Sequence, residues 1–95
     1  MRGKADMSMK KRIEARLQTS LAPILLEVLD ESHQHAGHSG AREGGETHFR
    51  VNIVSASFVG KSRVARHREI NALLAAEFAD GIHALALRTL APGET

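Results

Sequence analysis

The chain has no cysteine, no tryptophan and no tyrosine, and only three phenylalanines and two prolines in 95 residues. Without a thiol it can form no disulfide, attack no substrate through sulfur and bind no metal through thiolate. The scarcity of aromatic rings argues against the stacked-base platforms used by single-strand nucleic-acid binders. No apolar run approaches the ~20 residues of a membrane-spanning helix. The start, Met1-Arg2-Gly3-Lys4-Ala5-Asp6, is followed by no apolar signal core, so a cytoplasmic setting is expected. There is no HExxH, P-loop or dinucleotide fingerprint, and Ser55, Ser57 and Ser62 lie in no nucleophile elbow. No enzymatic activity is expected.

What is present is the periodic sequence of one small domain. Residues 1–8 lack periodicity and read as a tail. Ser8 is placed to cap a helix ending near residues 17–19, with Met9, Ile13 and Leu17 four apart on one face. Lys10, Lys11, Arg12, Glu14 and Arg16 occupy the rest, which reads as a solvated surface, and Ala22-Pro23 closes the unit. Residues 24–31 alternate as a strand, with Ile24, Leu26 and Val28 forming an apolar face. A polar span at 32–47 holds four glycines with His33, His35 and His38, and exceeds an ordinary hairpin loop. Residues 48–55 alternate again around Phe49, Val51 and Ile53, pairing most simply as an antiparallel hairpin with the first strand. A helix starting at Gly60 or Ser62 buries Ile70, Leu73, Leu74 and Phe78, and Asp80-Gly81 stops it through a left-handed glycine. A last strand opens within 81–87, and Pro92-Gly93 ends the ordered chain, leaving 93–95 as a tail. Strand, helix, strand with no room for a reversal makes the second and third strands parallel. The expected fold is α+β, in the order α-β-β-α-β, with a three-stranded mixed sheet and helices on one face.

Residues able to do chemistry fall in two places. The net charge is only +2, but the turn at Gly60-Lys61-Ser62-Arg63 and the helix start beyond it carry Lys61, Arg63, Arg66 and Arg68. Cations there oppose the helix macrodipole, at roughly 0.3–1 kcal/mol each. Either this is a solvated surface that tolerates the cost, or it meets an anionic partner assisted by the helix amides. The turn resembles a GXXG nucleic-acid clamp in position but lacks the second glycine. The second place is histidine-rich. His48, beside Glu46 at a strand start, reads as a hydrogen-bonded edge residue. His67, one turn before Ile70, reads as a half-buried residue bonding a carbonyl. His83 opens the last strand. If the hairpin loop and that strand converge at one end of the sheet, His83 meets a loop histidine. Two imidazoles do not close a four-coordinate metal site, so a partner would have to supply further ligands.

Several segments together resemble the BolA family over residues 9–92. They are Leu26-Glu27-Val28-Leu29-Asp30-Glu31-Ser32, Glu46-Thr47-His48-Phe49-Arg50-Val51, Val54-Ser55 with Phe58-Val59-Gly60-Lys61-Ser62, Arg66-His67-Arg68 with Asn71, Leu74 with Glu77, and Ile82-His83-Ala84-Leu85-Ala86-Leu87. The resemblance implies a KH-like fold of the second class and two roles. One is pairing with a monothiol glutaredoxin around a bridging [2Fe-2S] cluster, in cluster trafficking and iron homeostasis. The partner would supply glutathione, and the chain alone would hold no cofactor. The family's C-terminal cluster histidine maps onto His83. Its second ligand lies in the loop between the first two strands, where a cysteine-free chain belongs to the histidine type. Counting from Asp30-Glu31-Ser32 gives His35, and counting back from Glu46-Thr47-His48-Phe49 gives His38. Imidazole ligation of this kind raises the reduction potential, as in Rieske centres. It requires neutral rings, so the cluster should be lost as pH falls through the histidine range. The other implied role is binding of duplex DNA in transcriptional regulation of stress responses and morphology, through Gly60, Lys61, Ser62, Arg63, Arg66 and Arg68. A monomer or weak homodimer is expected in isolation, with no membrane partner.

Overall fold

The computed structural model describes residues 8–32 and 47–95. Helix α1 spans Met9–Leu21 and runs past its expected end. The Lys11 amide donates to Ser8 Oγ at 3.2 Å, the cap expected from the sequence. Met9, Ile13, Leu17 and Leu21 form its buried stripe. Ala22 closes it in the left-handed region, at φ 42° and ψ 55°, with its N–H donating to the Gln18 carbonyl. Pro23 behind it has no N–H with which to continue the ladder.

Strands β1 (Leu25–Asp30), β2 (His48–Val54) and β3 (Ala84–Leu90) form one sheet in the order β1-β2-β3. β1 pairs with β2 antiparallel and β2 with β3 parallel, as the hairpin and crossover arguments require. Register aligns the inner rows: Val28 opposes Val51 and Leu26 opposes Ile53 on one side, while Leu85 and Leu87 oppose Phe49 and Val51 on the other. The outer face is mixed, with exposed Leu25 and Leu29 beside Glu27, Arg50 and Asn52, and the Asn52 amide donates to Glu27 Oε1 at 2.8 Å across the β1–β2 pair. Ile24 does not extend the apolar face as expected. It precedes β1 and is exposed, although its N–H donates to the Val54 carbonyl.

The expected second helix is two. After a short 3₁₀ turn at Ala56–Phe58, which the sequence did not announce, α2 spans Arg63–Leu73 and α3 spans Ala75–Asp80. Ser62 caps α2 by accepting from the Ala65 amide at 3.1 Å. Between the helices Leu74 unwinds to φ −98°, ψ 18°. Its side chain is fully buried beside Ile70, and the bend turns Glu77 toward α1. Gly81 ends α3 at φ 152°, ψ −5°, a positive φ that suits glycine but lies outside the left-handed helical region expected for it.

The charged face of α1 is not simply solvated. Arg12 Nη2 and Arg16 Nη2 both reach Glu77 Oε2, at 3.2 and 3.3 Å, and Arg12 also holds Asp80 at 2.7 Å. Glu77 is 1% exposed, so these two guanidinium groups compensate a carboxylate set into the helix layer. The core lies between that layer and the sheet, with Phe49, Phe58, Ile13, Leu17, Ile53, Ile70 and Val51 fully enclosed.

Candidate functional site

One end of the sheet gathers the base of the β1–β2 connection and the start of β3. Ser32 and Thr47, which flank residues 33–46, are both buried. Ser32 Oγ accepts from the Thr47 amide at 2.8 Å and from the His48 amide at 3.1 Å. The Thr47 carbonyl in turn accepts from the His83 amide at 2.7 Å and the Ala84 amide at 3.2 Å. A single peptide unit therefore anchors both the end of the connection and the first residue before β3.

The His48 and His83 rings meet edge to face, with centroids 6.0 Å apart. His48 Nδ1 lies 2.8 Å from Thr47 Oγ1. Thr47 Oγ1 also lies 3.4 Å from Ser32 Oγ, so the three side chains form one short chain at the base of the connection. His83 is exposed, and its ring nitrogens take no hydrogen bond among the described residues. The sequence reading missed His48 as its neighbour. The signal was the parallel register, which sets His48 opposite Ala84. The candidate ligands His35 and His38 lie outside the described residues.

The opposite end holds the basic turn. Gly60, at φ 80°, makes the reversal into α2. Of the residues expected to face an anion, Arg66 turns inward. It is 7% exposed and donates to the Lys61 carbonyl at 2.9 Å and the Thr89 carbonyl at 3.0 Å. It also forks onto Glu94 at 2.6 and 2.9 Å, with its guanidinium carbon 5.6 Å from the centroid of the Phe58 ring. The spacing Arg66, Ile70, Leu74 places it on the buried stripe, a signal that its charge obscured. Glu94, within the expected tail, is thereby docked. Its carboxyl is drawn down to about 2, first by the Arg66 hydrogen bonds and then by the Ala91 amide. Lys61 pairs with Glu69 at 2.9 Å. Ser62 is occupied as the helix cap. Only Arg63 and Arg68 of the expected cations are exposed with no ion pair among the described residues. His67 is half-buried as expected, but its Nε2 bonds no carbonyl and has no hydrogen-bond partner.

The family model described as "BolA-like protein" matches residues 17–94. The chain belongs to the BolA-like family. It is 54% identical to an uncharacterized protein in the cobS 5'region of Sinorhizobium sp, over 93% of this chain and 96% of that one. It is 42% identical to the DNA-binding transcriptional regulator BolA of Escherichia coli (strain K12), covering 87% of this chain and 75% of that protein. The solved BolA domain of SufE1 from Arabidopsis thaliana superposes with a TM-score of 0.83 at 47% identity, over 94% of this chain and 98% of that one. The chain spans 24% of the full SufE-like protein 1. Among the described residues, no helix is long and apolar enough to cross a membrane, and no group of three or more His, Cys, Asp or Glu is placed to hold a metal ion.

Proposed function

We propose that this BolA-like protein is a non-enzymatic partner of a monothiol glutaredoxin and co-ligates a bridging [2Fe-2S] cluster through His83 and a histidine of the β1–β2 connection, His35 or His38. The observation that supports this most directly is the shared anchorage of Thr47. Its carbonyl holds the His83 backbone while its amide closes the base of the connection on Ser32. The base of that connection therefore lies beside the His83 backbone. The donor set fits the group: neutral imidazoles suit iron, and a chain without thiols must share the cluster with one that has them. When bound, the cluster would supply electron or cluster transfer. The chain's part is to present His83 from a fixed backbone and to shield it on one side with His48.

The test is to mix the chain with cluster-loaded glutaredoxin and record visible circular dichroism. The wild-type chain should change the spectrum. His83→Ala should abolish that change while shifting stability by no more than about 0.5 kcal/mol, because the side chain is exposed. An unaltered mixed spectrum with His83→Ala would overturn the ligand assignment.

The Escherichia coli relative, a DNA-binding transcriptional regulator, favours a second reading of the same kind. Here the available cations are Arg63 and Arg68, with Arg66 withdrawn. Arg63→Ala with Arg68→Ala should weaken duplex binding and flatten its salt dependence by about one unit of slope per contact removed. No duplex binding by the wild-type chain at low salt would eliminate this reading.

A further inference from the structure

The edge strand β3 and helix α2 enclose a cleft of about 280 Å³, lined by Arg63 and His67 of α2, residues 87–90 of β3 and Thr95. Two polar atoms from different elements at this cleft lack partners. Thr89 is 4% exposed and its Oγ1 makes no hydrogen bond; His67 Nε2 is likewise shielded and unpaired. Buried polar groups are nearly always bonded in folded proteins, so two orphans on one cleft point to a missing partner. The surrounding charge has the matching sign. Arg63 and Arg88 are exposed with no ion pair among the described residues, while Arg66 and Glu94 line the adjoining pocket, where the Arg63 charge also acts on the Glu94 carboxyl. The fold already seats one oxyanion at this corner, since Glu94 receives both Arg66 nitrogens and the Ala91 amide.

We propose that the cleft between α2 and β3 binds a single phosphate group, held by Arg63 and accepting hydrogen bonds from the Thr89 hydroxyl and His67 Nε2, with Arg88 adding positive charge from the outer face of the edge strand. A planar carboxylate is served by a fork of the kind Arg66 offers Glu94. Donors arriving from a helix on one side and a strand on the other suit a tetrahedral acceptor better. The volume accommodates the phosphate and the first atoms of its carrier, and falls below that of a drug-sized pocket. The site is formed by the opposite end of β3 from His83 and does not depend on the cluster reading.

Inorganic phosphate titrated into the ¹⁵N-labelled full chain at low ionic strength tests this. The amides of Arg63, His67 and Thr89 should shift and saturate, and sodium chloride at matched ionic strength should not reproduce the shifts. Thr89→Val removes the hydroxyl while keeping volume and charge, and should weaken phosphate binding about fivefold or more. Thr89→Ser should bind like the wild type, which separates a lost hydrogen bond from a damaged fold. Arg63→Ala with Arg88→Ala should weaken binding at least about tenfold. Phenyl phosphate then distinguishes the source. Equal affinity identifies the terminal phosphate of a larger molecule, exclusion identifies the free ion, and both uphold the site. Shifts that chloride reproduces, or an affinity unchanged by Thr89→Val, would reduce the effect to screening of surface arginines and overturn the proposal.

Discussion

At the start of β3, His83 stands beside His48 with both ring nitrogens free of hydrogen bonds among the described residues. At its other end, Arg66 uses four hydrogen bonds inside the fold, to Lys61, Thr89 and twice to Glu94. Both ends hold a group suited to a ligand, and both are tied to the sheet through backbone carbonyls. The difference lies in what is held. At the histidine end the protein fixes the main chain of His83 and leaves its side chain presented. At the arginine end it fixes the side chain itself and turns the charge into structure. Chemical type alone therefore does not separate a binding residue from a structural one; the deciding fact is whether the hydrogen bonds end on the side chain or on its backbone.

The comparison breaks most forcefully at Ser32. Its one oxygen satisfies the amides of Thr47 and His48 in a buried setting. Ser32→Ala leaves two donors without an acceptor and should cost about 2 kcal/mol or more. Urea unfolding checks this, with Ser32→Thr, which keeps the oxygen, as the milder variant. If the clamp also positions the connection, Ser32→Ala should weaken the glutaredoxin-dependent spectrum although it removes no ligand. A loss of stability with an untouched spectrum would confine the clamp to folding.

The fold was largely legible because its signals are periodic and local. Ser8, the 3.6-residue stripe of α1, the alternation around Phe49, Val51 and Ile53, and the crossover length each specify one element or pairing. What escaped depended on long-range partners. Arg66 and Glu77 sit on buried helical stripes, but a charged residue there reads as an interruption until its partner is known. Glu94 lies 28 positions from Arg66, and Arg12 lies 65 from Glu77, so neither pairing has a local signature. His83 stands out in the sequence by the expected convergence of the last strand with the hairpin loop and by a resemblance spread over many segments. His48 is the hydrogen-bonded strand-edge residue that its sequence suggests, but its contact with His83 was not legible, because one strand's sequence does not reveal which residue its parallel neighbour brings alongside.

A smaller effect sharpens the comparison from the arginine end. The Glu94 carboxyl titrates near 2 in the folded chain, against an ordinary value near 4.5, because Arg66 and the Ala91 amide bond its charged form. A carboxyl depressed by folding contributes stability that is fully present above its unfolded value and lost as pH falls through its folded value. The stability difference between wild type and Glu94→Gln should therefore be constant above about pH 5 and shrink between about 4.5 and 2. Denaturation curves collected across that window measure it. Glu94 is substantially exposed, so salt should reduce the difference. Glu94→Gln also leaves Arg66 with a neutral partner, and so restores a cation to the corner that the wild-type chain neutralises for itself. If the arginine end is structural only because Glu94 occupies it, this variant should bind inorganic phosphate more tightly than the wild type. An unchanged affinity would mean that the inward geometry of Arg66, and not the neutralisation of its charge, separates the two ends.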